Sequence, residues 1–322
     1  MIKVALIGIG GMGNVHFNAY KKIESARVIA VADVRTDMAR EKVNDENIRI
    51  YASMDDLLEN ESPDVVDICT PSYLHSEFSI KALKKGIHVL CEKPMSLSSK
   101  ETKDMIDAAE KSGKLFMTAH VVRFMAPYVY LKNVVDSGEM GKPVHIDMKR
   151  LSGMPAWSWE DWMRDLNKSG GTPIDLSIHD IDFIQYAFGQ PEKVSGVYKK
   201  MANNNDYIVS QLVYDGFDVT VTGGWYNCSI PFRAEYTAIF ENGYVESIGG
   251  KLIKNGEEVN VEVGEISGDT GINLSGADGY VDEIKYFIDC IMNGRKPEIV
   301  TPESSQNSIK LIERILENST IC

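Results

Sequence analysis

Residues 1–13 read Met1-Ile2-Lys3-Val4-Ala5-Leu6-Ile7-Gly8-Ile9-Gly10-Gly11-Met12-Gly13. The stretch predicts a short buried strand ending in a glycine turn of the pattern G-x-G-x-x-G. In such a turn Gly8 permits the tight step from strand to helix, Gly10 lets a pyrophosphate reach the backbone, and Gly13 lets the helix pack close to the strand. The helix starting near Gly11 aims its N–H groups and positive dipole end at the phosphate. A second apolar run, Val28–Ala32, ends at Asp33, twenty residues after Gly13. An acid at that distance accepts hydrogen bonds from the adenosine ribose and repels a 2′-phosphate, which favours NAD. Arg35 can stack on adenine or pair with a 2′-phosphate, so NADP stays possible. Gly8, Gly10, Gly11, Met12, Gly13, Asp33 and Arg35 are the first cofactor-binding candidates.

Outward from this turn, apolar β-rich runs recur at 2–7, 28–32, 65–69, 87–91 and 115–119, with helical spacing at 74–85 and 98–111. Such alternation predicts an α/β domain with a doubly wound parallel sheet, buried on both faces. Lys85-Gly86 and Ser112-Gly113 carry glycine where helices end. Past residue 120 the pattern changes. A helix near 127–136 and a strand at 143–151 precede a Trp-rich segment, then a helix over 173–188. Strands follow at 193–200, 207–214, 217–226, 232–241, 243–248, 251–254 and 258–263, several with period-2 alternation and joined by tight turns such as Asp215-Gly216. They read as one antiparallel, meandering sheet. The Gly- and Ser-rich segment 264–279 reads as a mobile loop, and helices at about 279–293 and 303–318 close the chain. The expected division is 1–121 and 122–322, and 322 residues suffice for two cores.

Composition narrows the function. The net charge of −13 disfavours nucleic acid or anionic membrane as a partner. The five cysteines are scattered, with no C-x-x-C, which argues against a disulfide framework or a zinc site and fits a reducing cytoplasm. A strand at the N-terminus, with no basic and apolar leader, and no apolar run near ~20 residues point to a cytoplasmic protein without a membrane span.

The chemistry sits at strand ends, where a doubly wound sheet binds its ligands. Thr70-Pro71 follows the run 65–69, and either lines a nicotinamide or simply opens the helix that His75 begins. Glu92-Lys93-Pro94 ends the run 87–91. An ammonium there can hydrogen-bond a substrate hydroxyl, stabilise developing alkoxide charge, or bridge substrate and cofactor ribose. Thr70, Pro71, His75, Glu92 and Lys93 therefore join the cofactor candidates. Downstream, Gly170-Gly171-Thr172-Pro173 opens a helix that places Asp175 and His179 four apart on one face. His179 is the natural proton acceptor near neutral pH, and Asp175 can orient it or touch substrate. Asp180 and Asp182 point elsewhere by helical phase and read as structural. Further substrate candidates are Tyr73, Arg123, Trp157, Trp162, Arg164 and Tyr280. A tryptophan more often serves as core, and Arg164 serves equally as a surface ion partner.

Together these motifs give the chain a whole-length resemblance to the Gfo/Idh/MocA family of sugar and inositol oxidoreductases. It rests on Gly8–Gly13, Thr70-Pro71 with His75, Gly86 through Glu92-Lys93-Pro94, and Gly170-Gly171 through Asp175 to His179-Asp180-Ile181-Asp182. Arg123-Phe124 with Pro127 also matches, whereas His120 stands where many members carry Asn. The resemblance implies a Rossmann domain followed by an α+β domain with a large open antiparallel sheet, whose exposed face joins homodimers or homotetramers. It implies a catalytic set of Lys93, Asp175 and His179; Arg123, Trp162 and Arg164 stay candidates on the residue reading alone. It further implies NAD(P)-dependent hydride transfer at a secondary hydroxyl of a sugar, cyclitol or nucleotide sugar. Two rivals share the same family: enzymes that use tightly held NAD only transiently, as some glycosidases and lyases do, and non-catalytic NAD-dependent sensors.

Overall fold

The computed structural model describes residues 1–260 and 278–322. The segment 264–279 and the end of the strand expected at 258–263 lie outside the described residues, apart from residues 278 and 279. The chain divides into two compact units. Among the described residues the first holds Met1–Val121 and Asp278–Gln306, and the second holds 122–260 and Asn307–Cys322.

The first unit is built on a six-stranded parallel sheet. Its elements run β1 (Ile2–Ile7), α1 (Gly11–Tyr20), β2 (Ala26–Ala32), α2 (Thr36–Val43), β3 (Arg49–Tyr51), α3 (Met54–Asn60), β4 (Val65–Ile68), α4 (His75–Lys84), β5 (His88–Glu92), α5 (Ser99–Ser112) and β6 (Phe116–Ala119). The order across the sheet is β3-β2-β1-β4-β5-β6, and every described pairing is parallel. Strand order reverses between β1 and β4, so the glycine turn after β1 opens at the crevice where such sheets bind ligands. Both faces of the central strands are buried, as helix-covered sheets require: all four residues of β4 are sequestered, including Asp67. Local signals set the helix ends. Ser98 accepts from the Glu101 N–H at 3.3 Å to start α5, and Gly113 ends it with φ 66°.

The second unit carries α6 (Ala126–Ser137), β7 (Pro143–Gly153), α7 (Leu166–Ser169), α8 (Ile178–Phe188), β8 (Lys193–Lys200), β9 (Asp206–Tyr214), β10 (Phe217–Tyr226), β11 (Arg233–Phe240), β12 (Gly243–Ile248), β13 (Lys251–Lys254) and β14 (Glu257–Glu258). The chain ends with α9 (Asp278–Met292), α10 (Pro302–Glu317) and β15 (Ser319–Ile321). A nine-stranded sheet orders β14-β13-β12-β11-β7-β10-β9-β8-β15. It is mixed rather than wholly antiparallel, because β10 pairs parallel to β7 and β15 parallel to β8. Period-2 burial along β9, as in buried Ile208, Ser210 and Leu212, turns one face inward. Ile181, Phe183 and Ile184 of α8 are buried as well.

Two expectations change here. The helix α9, expected to close the second domain, groups with the first unit: it packs on α1 and buries Tyr280, Ile284, Phe287 and Ile288. An amphipathic face settles on any layer that covers it, whatever its place in the chain. The continuous helix expected over 173–188 is broken: Thr172–Leu176 form one wide π-turn, closed by the Ser177 N–H on the Thr172 carbonyl at 2.8 Å, before α8 begins.

Candidate functional site

The glycine turn is fixed by contacts that only a missing side chain allows. Gly8 has φ +85°, and a Cβ on it would lie 2.7 Å from the Cys69 carbonyl oxygen. One on Gly13 would lie 2.0 Å from the Gly8 oxygen. A Cβ on Gly10 would meet only the Arg35 guanidinium, at 3.8 Å, so this side of the turn is open. Beside it, Asp33 follows β2 directly and is buried. Its Oδ2 accepts from the Ile9 N–H at 3.0 Å, and its Oδ1 from the Arg35 N–H at 2.9 Å and Nε at 3.1 Å. Lys42 donates to the Ile9 and Gly10 carbonyls at 3.1 and 3.3 Å. The Thr70 hydroxyl, at the end of β4, is buried with no hydrogen-bond partner among the described residues. An open glycine cradle, a carboxylate at the neighbouring strand end and an orphaned hydroxyl fit a dinucleotide.

This geometry separates two glycines. We predict that Gly13→Ala costs about 1–3 kcal/mol or more through overpacking against backbone. Gly10→Ala is expected to melt like wild type and lose NAD affinity. Thermal unfolding and calorimetric titration of both variants check this; equal stability in the two would contradict it.

Arg35 and Lys42 bring two cations to the Asp33 carboxylate. Burial, and then Arg35, lower the Lys42 pKa, with Asp33 opposing. Asp33→Ala should therefore swing selectivity from NAD toward NADP by about 10–100-fold, the value of one charge-assisted hydrogen bond. The ratio of dissociation constants for the two cofactors measures it, and an unchanged ratio would refute it.

The ends of β4 and β5 are tied by two histidines. His75, a cofactor candidate by sequence, is buried. Its Nδ1 lies 2.7 Å from the Pro94 oxygen and its Nε2 2.9 Å from the Thr70 oxygen. It braces these loops rather than presenting a free edge. Pro71 precedes a tight turn, Ser72–Leu74, that opens α4. The Lys93–Pro94 bond is cis. Lys93 is half-buried, and its N–H donates to Glu92 Oε2 at 2.9 Å.

Behind them lies a network the sequence reading did not find. His16, in α1, sets Nδ1 2.9 Å from Asp67 Oδ2 and Nε2 3.0 Å from Glu92 Oε1. Cys69 Sγ donates to Asp67 Oδ1 at 3.5 Å. Burial alone would lower the His16 pKa; Asp67 and then Cys69 overrule it and hold the ring well above its usual value. For Glu92, burial acts upward, but the hydrogen bond and charge of His16 bring its pKa below the ordinary one. With the His16 pKa raised and a carboxyl oxygen at each nitrogen, a doubly protonated ring that donates on both sides suits this place. The signal available in sequence was Asp67 itself, an acid inside an otherwise apolar buried strand.

In the second unit, residues 171 to 185 are all buried except His179, which is partly exposed. The π-turn holding Asp175 starts at Thr172, whose N–H and hydroxyl both donate to the buried Asp206, at 3.0 and 2.6 Å. Tyr198 donates to the same carboxylate at 2.9 Å. Burial nevertheless pushes the Asp206 pKa up. The flanks of His179 are pinned. Asp180 pairs with Arg150 at 2.8 and 3.0 Å, and Asp182 with Arg123 at 2.7 and 2.8 Å. Arg123, expected toward the substrate, thus holds a buried carboxylate, which Ser308 also reaches at 2.8 Å. Trp162 packs on Met163, Leu176 and Trp225, while Arg164 lies at the surface 3.9 Å from Asp161. Of the remaining substrate candidates, Tyr280 is buried in the first unit with its ring 6.2 Å from His16, whereas Tyr73 and Trp157 are exposed.

A six-stranded Rossmann sheet with a dinucleotide cradle, followed by a mixed nine-stranded sheet, defines a class of NAD-binding oxidoreductases. The chain belongs to the Gfo/Idh/MocA oxidoreductase family: the model of its NAD-binding Rossmann fold matches residues 2–120, and that of its C-terminal domain matches residues 128–246. It is 28% identical over 317 residues to a myo-inositol 2-dehydrogenase of Thermotoga maritima, covering 92% of this chain and 90% of the relative. A 2,7-anhydro-N-acetylneuraminate hydratase of Mediterraneibacter gnavus is 31% identical over 192 residues, 59% of this chain and 50% of that protein. A levoglucosan dehydrogenase solved with NADH and levoglucosan superposes with a TM-score of 0.83, at 19% identity, over 98% of this chain and 96% of that one. Among the described residues no helix is long and apolar enough to cross a membrane.

Proposed function

We propose that this protein is an NAD-dependent dehydrogenase of a sugar or cyclitol, oxidising one secondary hydroxyl to a ketone, with His179 as general base. The observation that carries the reading is His179, partly exposed in an otherwise buried stretch from residue 171 to 185. Keeping His179 accessible while locking its neighbours suits a group that must exchange protons with a ligand. In this reading His179 accepts the hydroxyl proton, and the Lys93 ammonium hydrogen-bonds the same oxygen and stabilises its negative charge as the C–H bond breaks. Asp175 orients the substrate or the imidazole. When bound, NAD supplies the acceptor for the hydride from the carbinol carbon. The carbon loses a hydride and the oxygen a proton, so a C=O bond is left.

The myo-inositol dehydrogenase relative favours a cyclitol; a relative named as a hydratase, an activity with no net oxidation, favours a second reading in which NAD would be used only transiently within one turnover. Near-ultraviolet absorbance with NAD, then NADP, across inositols, aldoses and UDP-sugars separates them. Net NADH formation with one substrate class supports the dehydrogenase. Sugar turnover without net NADH would favour the transient reading, and an active His179→Ala variant would refute the role of the base.

The same reading pairs copies of the chain through the nine-stranded sheet, where Val144, Val197, Ile239 and Ile248 are exposed. Light scattering is expected to give a dimer or tetramer, and a strict monomer would exclude it.

A further inference from the structure

The dinucleotide helix and the Lys93 loop meet at one side chain. His16 projects from α1, whose N-terminus follows the glycine turn, and its Nε2 reaches Glu92 Oε1 at 3.0 Å. The other oxygen of the same carboxylate accepts the Lys93 N–H at 2.9 Å. On its far side the ring is held by Asp67 of the central strand β4, 2.9 Å away. His16 and Asp67 are fully buried and Glu92 is 5% exposed.

Stability does not account for this choice of residues. Well-packed apolar side chains of similar volume serve a core as well as a buried ion pair, and often better. What an imidazolium fixed on both nitrogens supplies is direction: it sets the position and rotation of the Glu92 carboxylate, and the carboxylate sets the backbone from which Lys93 springs. The raised His16 pKa agrees with a ring that stays doubly protonated in this place.

We propose that His16 is a positioning residue, tying the dinucleotide-binding helix to the Lys93 loop through the two oxygens of Glu92. The inference rests on the role given to Lys93 above. It predicts that the tie governs turnover and not cofactor affinity, because His16 faces away from the open side of the glycine turn and toward Glu92.

The test uses the full-length protein and four variants: His16→Gln, Glu92→Gln, Lys93→Ala and His16→Gln/Lys93→Ala. His16→Gln is expected to lower kcat by ~10²-fold, the loss that follows a misplacement of about an ångström, with the NAD dissociation constant unchanged. In the Lys93→Ala background the same substitution should cause no further loss, since residues acting through one group are not additive. If circular dichroism shows that His16→Gln fails to fold, Glu92→Gln carries the test, with the same expected loss in kcat. Wild-type kcat in His16→Gln beside an inactive Lys93→Ala overturns the inference alone. A full further loss in the double variant also overturns it, since a residue that acts only on the fold would multiply. Wild-type turnover in Lys93→Ala overturns the reading of Lys93 and the inference with it.

Discussion

Alanine in place of His179 is expected to lower turnover of the alcohol about 10²–10⁴-fold, the usual contribution of a positioned general base. NAD binding should be unchanged, because the family's NAD-binding Rossmann fold matches residues 2–120, and the proposed cradle of Gly8–Gly13, Asp33 and Thr70 lies there. The fold should survive as well. His179 is the partly exposed residue in its stretch, so truncating it empties less closed space than truncating a buried neighbour would. Loss of kcat with intact cofactor affinity and an unchanged melting temperature is therefore the signature. Steady-state kinetics, a calorimetric NAD titration and a melting curve supply the three readings. Equal loss of turnover and folding would instead mark His179 as structural, and full activity would remove it from the mechanism.

The second large effect concerns Arg123. Its guanidinium meets both oxygens of Asp182 with each side chain only 1% exposed, and lies 4.6 Å from the centre of the Tyr186 ring. Arg123→Ala leaves a buried carboxylate without its cation, which costs about 3–5 kcal/mol. Replacing both members, Arg123→Met with Asp182→Leu, should recover most of that loss, because the desolvation penalty of the acid disappears with its charge. The four tryptophans, Trp157, Trp159, Trp162 and Trp225, all lie in the second unit, so urea unfolding followed by tryptophan fluorescence reads this change directly. A single variant as stable as wild type would contradict the buried pair. A double variant no better than the single would show that Asp182 matters for more than its charge, through Ser308 for example.

What was legible in the sequence follows from how local the cause was. The glycine turn, Asp33 and the alternation of apolar runs depend on short-range rules, and β1, β2, β4, β5 and β6 form where those runs lie. The three-residue strand β3 carries too few positions to show a period. Thr172–Leu176 shows why a helix signal does not fix its kind. Pro173 suits the first turn of any helix, and the anchor that holds Thr172 is Asp206, far along the chain. Non-local pairing also explains Arg123. A substrate candidate by sequence, it is paired with Asp182, which only the fold brings to it. The readings of Asp180 and Asp182 as structural came from helical phase alone, and both are found buried against arginines. His16 left no trace of its own, because a histidine three residues past Gly13 is ordinary until Asp67 and Glu92 arrive from two other strands.

Net hydride transfer from a secondary alcohol leaves an isotopic signature that can be read directly. The protein is incubated with NAD and an inositol or sugar deuterated at the reacting carbon, and the released nicotinamide is read by mass spectrometry. One deuterium is expected in NADH for each ketone formed. Substrate turnover with no deuterated NADH in solution would contradict it.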